Sequence, residues 1–373
     1  MDRKQERNYG IDALRLAAMF MVVVLHILGK GSVLQTAQGI QSKVSWFLQI
    51  AAFCAVDCYA LISGYTGYTE HEKKYRYGKY FGMWLQAFFY SFGCTLLWYF
   101  ARPGSVSRAD LAMSAFPVLT DQYWYFRAYT PLFFVIPWLN RLVRRSTERE
   151  VTGLVAVLFA LLSCYGTAAA LFADPFVLKE GYSFVWLAFL YLAGAWMKKC
   201  RIAERVSIRT AVLVYLLSVL VTWGSRMAVH RLTVHMLGYT FGRNLLYNYT
   251  SPTVVAAAGA LLIWFSRLRV EGICRKAVRF LAPASFGVYL LHRQDLVFDR
   301  FFNGTFRFLA VLSPWKIPFA VLGIAFAVCA VCLLIDKARA RLFALCRVAQ
   351  AGERIDHGIR GVWDRIAGYL VKN

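Results

Sequence analysis

Three ionisable residues stand where an apolar membrane segment has no need of them. The stretch GIDALRLAAMFMVVVLHILG, residues 10–29, is apolar enough to cross a bilayer, yet it carries Asp12, Arg15 and His26. Arg15 and His26 are eleven residues apart. In a helix that spacing projects both from almost the same face, about 16 Å apart along the axis. Asp12 lies three residues before Arg15, close enough for a local ion pair. One stripe would then hold a cation near one membrane surface and an imidazole toward the other. Such groups are costly inside a bilayer unless paired or hydrated, so a functional pathway along the stripe is the default reading. The plainer reading makes Arg15 a side chain snorkelling to the interface and His26 a structural hydrogen bond between helices.

Other polar residues are expected at a similar depth. His292, in SFGVYLLHRQD, falls about twelve residues into a later segment running the same way as the first. Arg127, in DQYWYFRAYTP, and Arg226, in WGSRMAVH, lie near the outer ends of their segments. His230, His235 and Asp295 sit just beyond, and Asp57, in CAVDCYALISGY, is deeper. A cavity in the outer half of the membrane, lined by histidine, arginine and tyrosine, would give each of them water or a partner. His230, His235 and Arg243 read more simply as loop residues. No metal site is expected: His230 and His235 lack a third ligand nearby. Neither a Gly-rich phosphate loop nor a Ser-His-Asp order can be argued.

The elements that would position these residues follow from composition. Of 373 residues, 59% are hydrophobic, 16% aromatic and only 17% charged. The expected fold class is all-α, a polytopic integral membrane helix bundle. With about 20 apolar residues per crossing, ten segments qualify: 11–29, 44–66, 79–101, 123–140, 151–172, 182–197, 210–229, 250–266, 280–298 and 316–335. With the N-terminus in the cytoplasm, the inner segments hold 29 of the 43 Lys and Arg residues, so both termini are expected inside. The first segment reads as an uncleaved span. The net charge of +23 is therefore topogenic, and no nucleic acid is expected as a partner. Nine scattered cysteines, including Cys329 and Cys332 in one apolar run, suggest packing. Two regions are expected: a transmembrane domain over 1–340 and a tail over 341–373. In the tail Ile355, Ile359, Val362, Trp363, Ile366 and Leu370 recur at helical spacing, which makes an amphipathic helix. It would lie on the inner membrane surface or dock on the bundle's own loops.

In these residues the chain resembles the bacterial integral-membrane acyltransferase family 3. The family's Arg-x10-His pattern corresponds to Arg15 and His26, its DxFFxISGY to VDCYALISGY, its WFLxALxxLYLLxPxL-like segment to WYFRAYTPLFFVIPWLN, and its SxGVYLLH to Ser285–His292. The R-x-x-R element after the second span appears as Arg76 and Lys79, which keeps charge but not bidentate geometry. The arginine at 127 is an addition to the pattern.

The resemblance implies O-acyl transfer, usually acetyl, from cytoplasmic acyl-CoA to a hydroxyl of an extracytoplasmic glycan or small molecule, at the cell inner (plasma) membrane. Acetyl-CoA is the expected donor, and the partners are the lipid bilayer, acyl-CoA and the envelope acceptor, with room for a homodimer. Lys73, Lys74, Arg76 and Lys79 would hold the donor's phosphates, or are topogenic charge alone. Arg15, with Asp12 beside it, would sit where the donor's arm enters. His26 would act as general base or help collapse the intermediate, an imidazole titrating near working pH. Arg127, Tyr125 or His292 would stabilise the oxyanion. Asp57, Trp124, Arg226, Tyr289 and Asp295 are the residues expected to bind substrate. The competing readings are a transporter or exporter of a small molecule or glycan, and a membrane scaffold without catalysis.

Overall fold

The computed structural model describes residues 7–72 and 75–372, and every regular element in them is helical. That is the conformation in which an apolar chain satisfies its own amides without water. Helix α1 (Tyr9–Leu28) starts where the Asn8 side chain accepts the Ile11 amide. A short α2 (Val33–Thr36) turns the chain into α3 (Gly39–Phe53) and α4 (Ala55–Gly67), one apolar stretch with a break at Cys54. Then come α5 (Gly78–Ala101), α6 (Arg108–Ser114) and α7 (Trp124–Arg145). Helix α8 (Glu148–Leu158) widens into a π turn over Phe159–Tyr165 and ends as α9 (Gly166–Ala169). The rest are α10 (Phe184–Lys199), α11 (Ile202–Arg205), α12 (Ile208–Leu237), α13 (Pro252–Ser266), α14 (Gly272–Leu281), α15 (Ser285–His292), α16 (Asp295–Phe301), α17 (Lys316–Leu345) and α18 (Val348–Lys372).

Five helical stretches among the described residues are long and apolar enough to cross a membrane: Tyr9–Leu28, Gly39–Gly67, Glu148–Ala169, Ile208–Leu237 and Lys316–Leu345. The other segments expected to cross are also helical. Among them α7 carries Arg127, Asn140 and Arg141, α13 is short, and the 280–298 segment is divided between the end of α14, α15 and the start of α16. The face of the bundle where α1 begins is termed the near face, and the one where it ends the far face.

Helix α1 is the central post, packed by α3, α4, α13, α15 and α17, with Leu14, Ala18, Val23 and Ile27 wholly buried. Beside it α4 and α10 meet backbone to backbone. A Cβ on Gly64 would overlap the Tyr191 carbonyl, and one on Gly194 the Leu61 carbonyl. Small residues permit such close approach where lipid supplies no hydrophobic drive.

A buried charge network fixes α15. Asp336 of α17 accepts hydrogen bonds at Oδ1 from Gln86 Nε2 (2.9 Å) and Tyr90 O–H (2.8 Å) of α5. The Arg339 guanidinium grips both carboxylate oxygens at 3.0 and 2.9 Å. Gly287 of α15 lies so close that any side chain there would collide with the Asp336 carboxyl.

Helix α17 runs unbroken through residue 340 to Leu345. The tail helix α18 then docks on the chain itself. The Gly78 amide donates to the buried Asp356 carboxylate at 2.8 Å, and Gly352 packs on the Gly78 backbone. Ile355 and Ile359 border an aromatic cleft with Tyr77, Tyr80 and Trp84. The side chains of Trp363, Ile366 and Leu370 lie outside the described residues.

Candidate active site

Because α1 is one continuous helix, Arg15, Met19, Val22 and His26 stand at steps of four, three and four and share a face. Met19, Val22 and His26 line a cavity of about 410 Å³ toward the far half of the bundle. Its walls are aromatic: Tyr59 of α4, Trp124 and Tyr125 at the start of α7, Tyr289 and Phe286 of α15, and Tyr182, Tyr247 and Tyr249 from connecting segments. Gln49 lines it as well and donates Nε2–H to the Tyr247 hydroxyl at 2.8 Å, while its Oε1 is buried without a partner among the described residues.

His26 and His292 are in direct contact, Nδ1 of the first to Nε2 of the second at 2.8 Å. The other nitrogen of His292, Nδ1, lies 2.5 Å from the Val288 carbonyl oxygen. A carbonyl can only accept, so His292 Nδ1 bears hydrogen. With both rings neutral, His292 Nε2 is then a lone pair and the bridging hydrogen belongs to His26 Nδ1. That leaves His26 Nε2 unprotonated, with no other hydrogen bond to it among the described residues. His292 is 1% exposed and sits behind His26, which is itself half-buried against the edge of Phe298.

The near end of the stripe is a second polar group. Buried Asp12 accepts from Arg7 Nε at 2.5 Å and from Arg15 at 2.7 Å, and Arg15 also donates to Thr66 Oγ1 at 3.1 Å. Arg15 does not line the cavity. Between them stands Tyr59, which forms the cavity floor and donates its hydroxyl hydrogen to the Arg15 carbonyl at 2.6 Å. On the wall, the Tyr125 amide donates to the Tyr289 hydroxyl at 3.3 Å. The Tyr289 hydrogen takes no acceptor among the described residues. At the far rim Lys30 pairs with Asp299 at 2.7 Å.

Several residues expected in the cavity lie elsewhere. Arg127 is exposed on α7, ion-paired with Asp121, and faces away from it. Arg226 is buried behind the Tyr247 wall, stacked 3.4 Å from the Trp46 ring and bonded to Asn244. A desolvated guanidinium on an indole face is satisfied there. Asp57 is fully buried outside the lining. Trp186 Nε1 donates to its Oδ1 at 3.2 Å, and its Oδ2 has no partner among the described residues. Asp295 is paired with Arg293 and belongs to a separate polar cleft. His230 and His235 are exposed in the last turns of α12, helical where loops were expected. Arg76 and Lys79 are exposed on the near face at the start of α5, Arg76 lying 3.6 Å from Glu353 of the tail. Lys73 and Lys74 lie outside the described residues.

Tyr59, Tyr182, Tyr247, Tyr249 and Gln49 were not singled out from sequence. Tyr59 follows two residues after Asp57 in the VDCYALISGY segment, the one local signal that pointed toward it.

Among known families, the model described as an acyltransferase domain matches residues 8–337. No curated protein and no solved structure matches the chain. The match runs from just before α1 to the Asp336 clamp and takes in both histidines, so this membrane protein belongs to acyltransferase family 3.

Proposed function

We propose that the protein moves an acyl group, acetyl in the simplest case, from coenzyme A at the near face to a hydroxyl of an extracytoplasmic carbohydrate or related envelope acceptor. In this reading the chain crosses the inner membrane ten times with both termini in the cytoplasm. The near face, with its excess of Lys and Arg, is then cytoplasmic, and α18 lies along it.

The observation that carries the proposal is the polarity of the histidine pair. An unprotonated His26 Nε2 is available to a cavity that a thioester and a hydroxyl can share. The acceptor oxygen attacks the thioester carbonyl carbon while His26 Nε2 takes its proton. The imidazolium that results keeps its Nδ1–H on His292, whose own ring is anchored to Val288. The carbonyl oxygen becomes an oxyanion, which the Tyr289 and Tyr125 hydroxyl hydrogens, neither with an acceptor among the described residues, would receive. Collapse breaks the carbon–sulfur bond, and the departing thiolate recovers the proton from His26.

The donor's phosphates would be held by near-face cations, Arg76 and Lys79 among them, with Lys73 and Lys74 in the adjoining segment. Its arm would pass Arg15 and displace Tyr59 to reach the cavity.

The test is acyl transfer from labelled acetyl-CoA to an envelope glycan extract by purified protein. His26→Ala should lower it about 10²–10⁴-fold with the thermal melting curve unchanged. Full transfer by that variant would refute the role of the pair.

A further inference from the structure

A second cleft backs onto the histidine site. It holds about 210 Å³ and is lined by Thr95 of α5, Ser114 at the end of α6, Gln122 and Gln294, with Asp110 and Asp295 at its rim. The first four are all buried. Helix α5 ends on the far face at Ala101, so Thr95 lies about 9 Å and Ser91 about 15 Å below that end. The Ser91 hydroxyl reaches the Ser114 carbonyl at 2.6 Å and Gln122 Oε1 at 2.5 Å. The irregular chain after α6 therefore dips to membrane depth, where such backbone is tolerated only when it is buried in protein or lines a wet cavity.

Two short segments form the partition between the cleft and the aromatic cavity. In the first, Gln122 faces the cleft, while Trp124 and Tyr125 face the cavity. In the second, His292 meets His26, while Gln294 faces the cleft. The Tyr123 hydroxyl joins the segments by donating to the Leu290 carbonyl at 3.0 Å. Most of the cleft's hydrogen-bonding capacity is spent internally: Gln294 donates to Thr95 Oγ1 at 3.2 Å and accepts from the Val297 amide at 3.0 Å. What remains is specific. Gln122 Nε2, on a side chain only 7% exposed, has no partner among the described residues. Asp110 Oδ1 and Asp295 Oδ2 are likewise unengaged there.

We propose that this cleft is a binding subsite for a neutral sugar residue of the acceptor, adjacent to the one that carries the reacting hydroxyl. An amide donor facing two carboxylate oxygens matches a ring of hydroxyls, and the carboxylates disfavour an anionic ligand. The cleft has room for a single pyranose ring. Asp295 is one helical turn from Asp299, whose partner Lys30 stands on the rim of the aromatic cavity, so a glycan chain can cross from one to the other. The inference rests on the acyl-transfer reading given above.

The test uses the full-length protein in nanodiscs. The probe is the pool of oligosaccharides released from the host cell's envelope and tagged with a fluorophore. Retention is measured separately from acetyl transfer to the same pool. Gln122→Leu removes the open donor. Met113→Trp blocks the mouth from a residue that is 57% exposed, where folding is not at stake. Gln122→Leu should lower retention of neutral oligosaccharides about tenfold, the cost of one lost hydrogen bond, and Met113→Trp, by filling the mouth, at least as much. Each should also raise KM for the pool by a similar factor while kcat holds. No retention by the unmodified protein, retention confined to anionic sugars, or variants that retain as well as the parent would overturn the subsite. Retention that follows the prediction while no acetyl group moves leaves the subsite standing and removes the transferase reading instead.

Discussion

His292 holds the Val288 carbonyl with one ring nitrogen and His26 with the other, across 266 positions of sequence. On the acyl-transfer reading, the direction of these two bonds would make His292 an orienting group and His26 the base. The rate loss should therefore be unequal. His26→Ala should cost about 10²–10⁴-fold in acyl transfer, the usual worth of a general base. His292→Ala, which leaves that base loosely held, should cost less. Initial rates across pH measure both, and a His292→Ala enzyme with parental rates at every pH would show that the contact does not orient His26.

The hydroxyl of Tyr59 on the Arg15 carbonyl closes the cavity floor. Tyr59→Ala should open a path from the near side. In a chain whose nine native cysteines are replaced, a Met19→Cys probe should react with a near-side maleimide much faster once Tyr59 is truncated. Equal labelling with and without Tyr59 would mean that the floor is closed by something else.

Close approach of α4 and α10 requires glycine at two points. Gly64→Val should destabilise the fold by about 1–3 kcal/mol or more, as overpacking does, because the new side chain meets the Tyr191 carbonyl. Gly93→Ala on α5 meets nothing within 4 Å and should be neutral or stabilising by about 0.5–1 kcal/mol. Thermal unfolding in detergent compares the two.

Breaking the clamp on α15 should be expensive. Asp336→Ala leaves the partly buried Arg339 guanidinium without its partner, a loss of up to about 3–5 kcal/mol, the range for fully buried pairs. Replacing Asp336 and Arg339 together by Leu should recover part of it. A double variant less stable than Asp336→Ala would argue against charge imbalance as the cause.

The shared face of Arg15 and His26 could be read directly, because helical spacing alone determines it. So could the like depth of His26 and His292, two residues at similar distances along helices running the same way, though their direct contact was not expected. The aromatic walls could not. Tyr and Trp collect at the ends of membrane segments for interfacial reasons, so nothing local separates a cavity wall such as Tyr182 or Tyr249 from an interface residue. Arg226 was misplaced because its partner Trp46 is far away in the chain and a cation over an indole leaves no local pattern. The break between α3 and α4 falls at Cys54 in a run without Pro or Gly. No local signal in the sequence marks it.

The Tyr59 floor has a consequence for the cell. A protein that passes a long anionic donor through a bilayer risks shunting the ion gradient whenever the passage stands empty. On the acyl-transfer reading, one phenol hydrogen-bonded to the α1 backbone at the cavity floor would seal the resting passage against ions. Conductance would then follow substrate occupancy, and energy coupling would survive between turnovers.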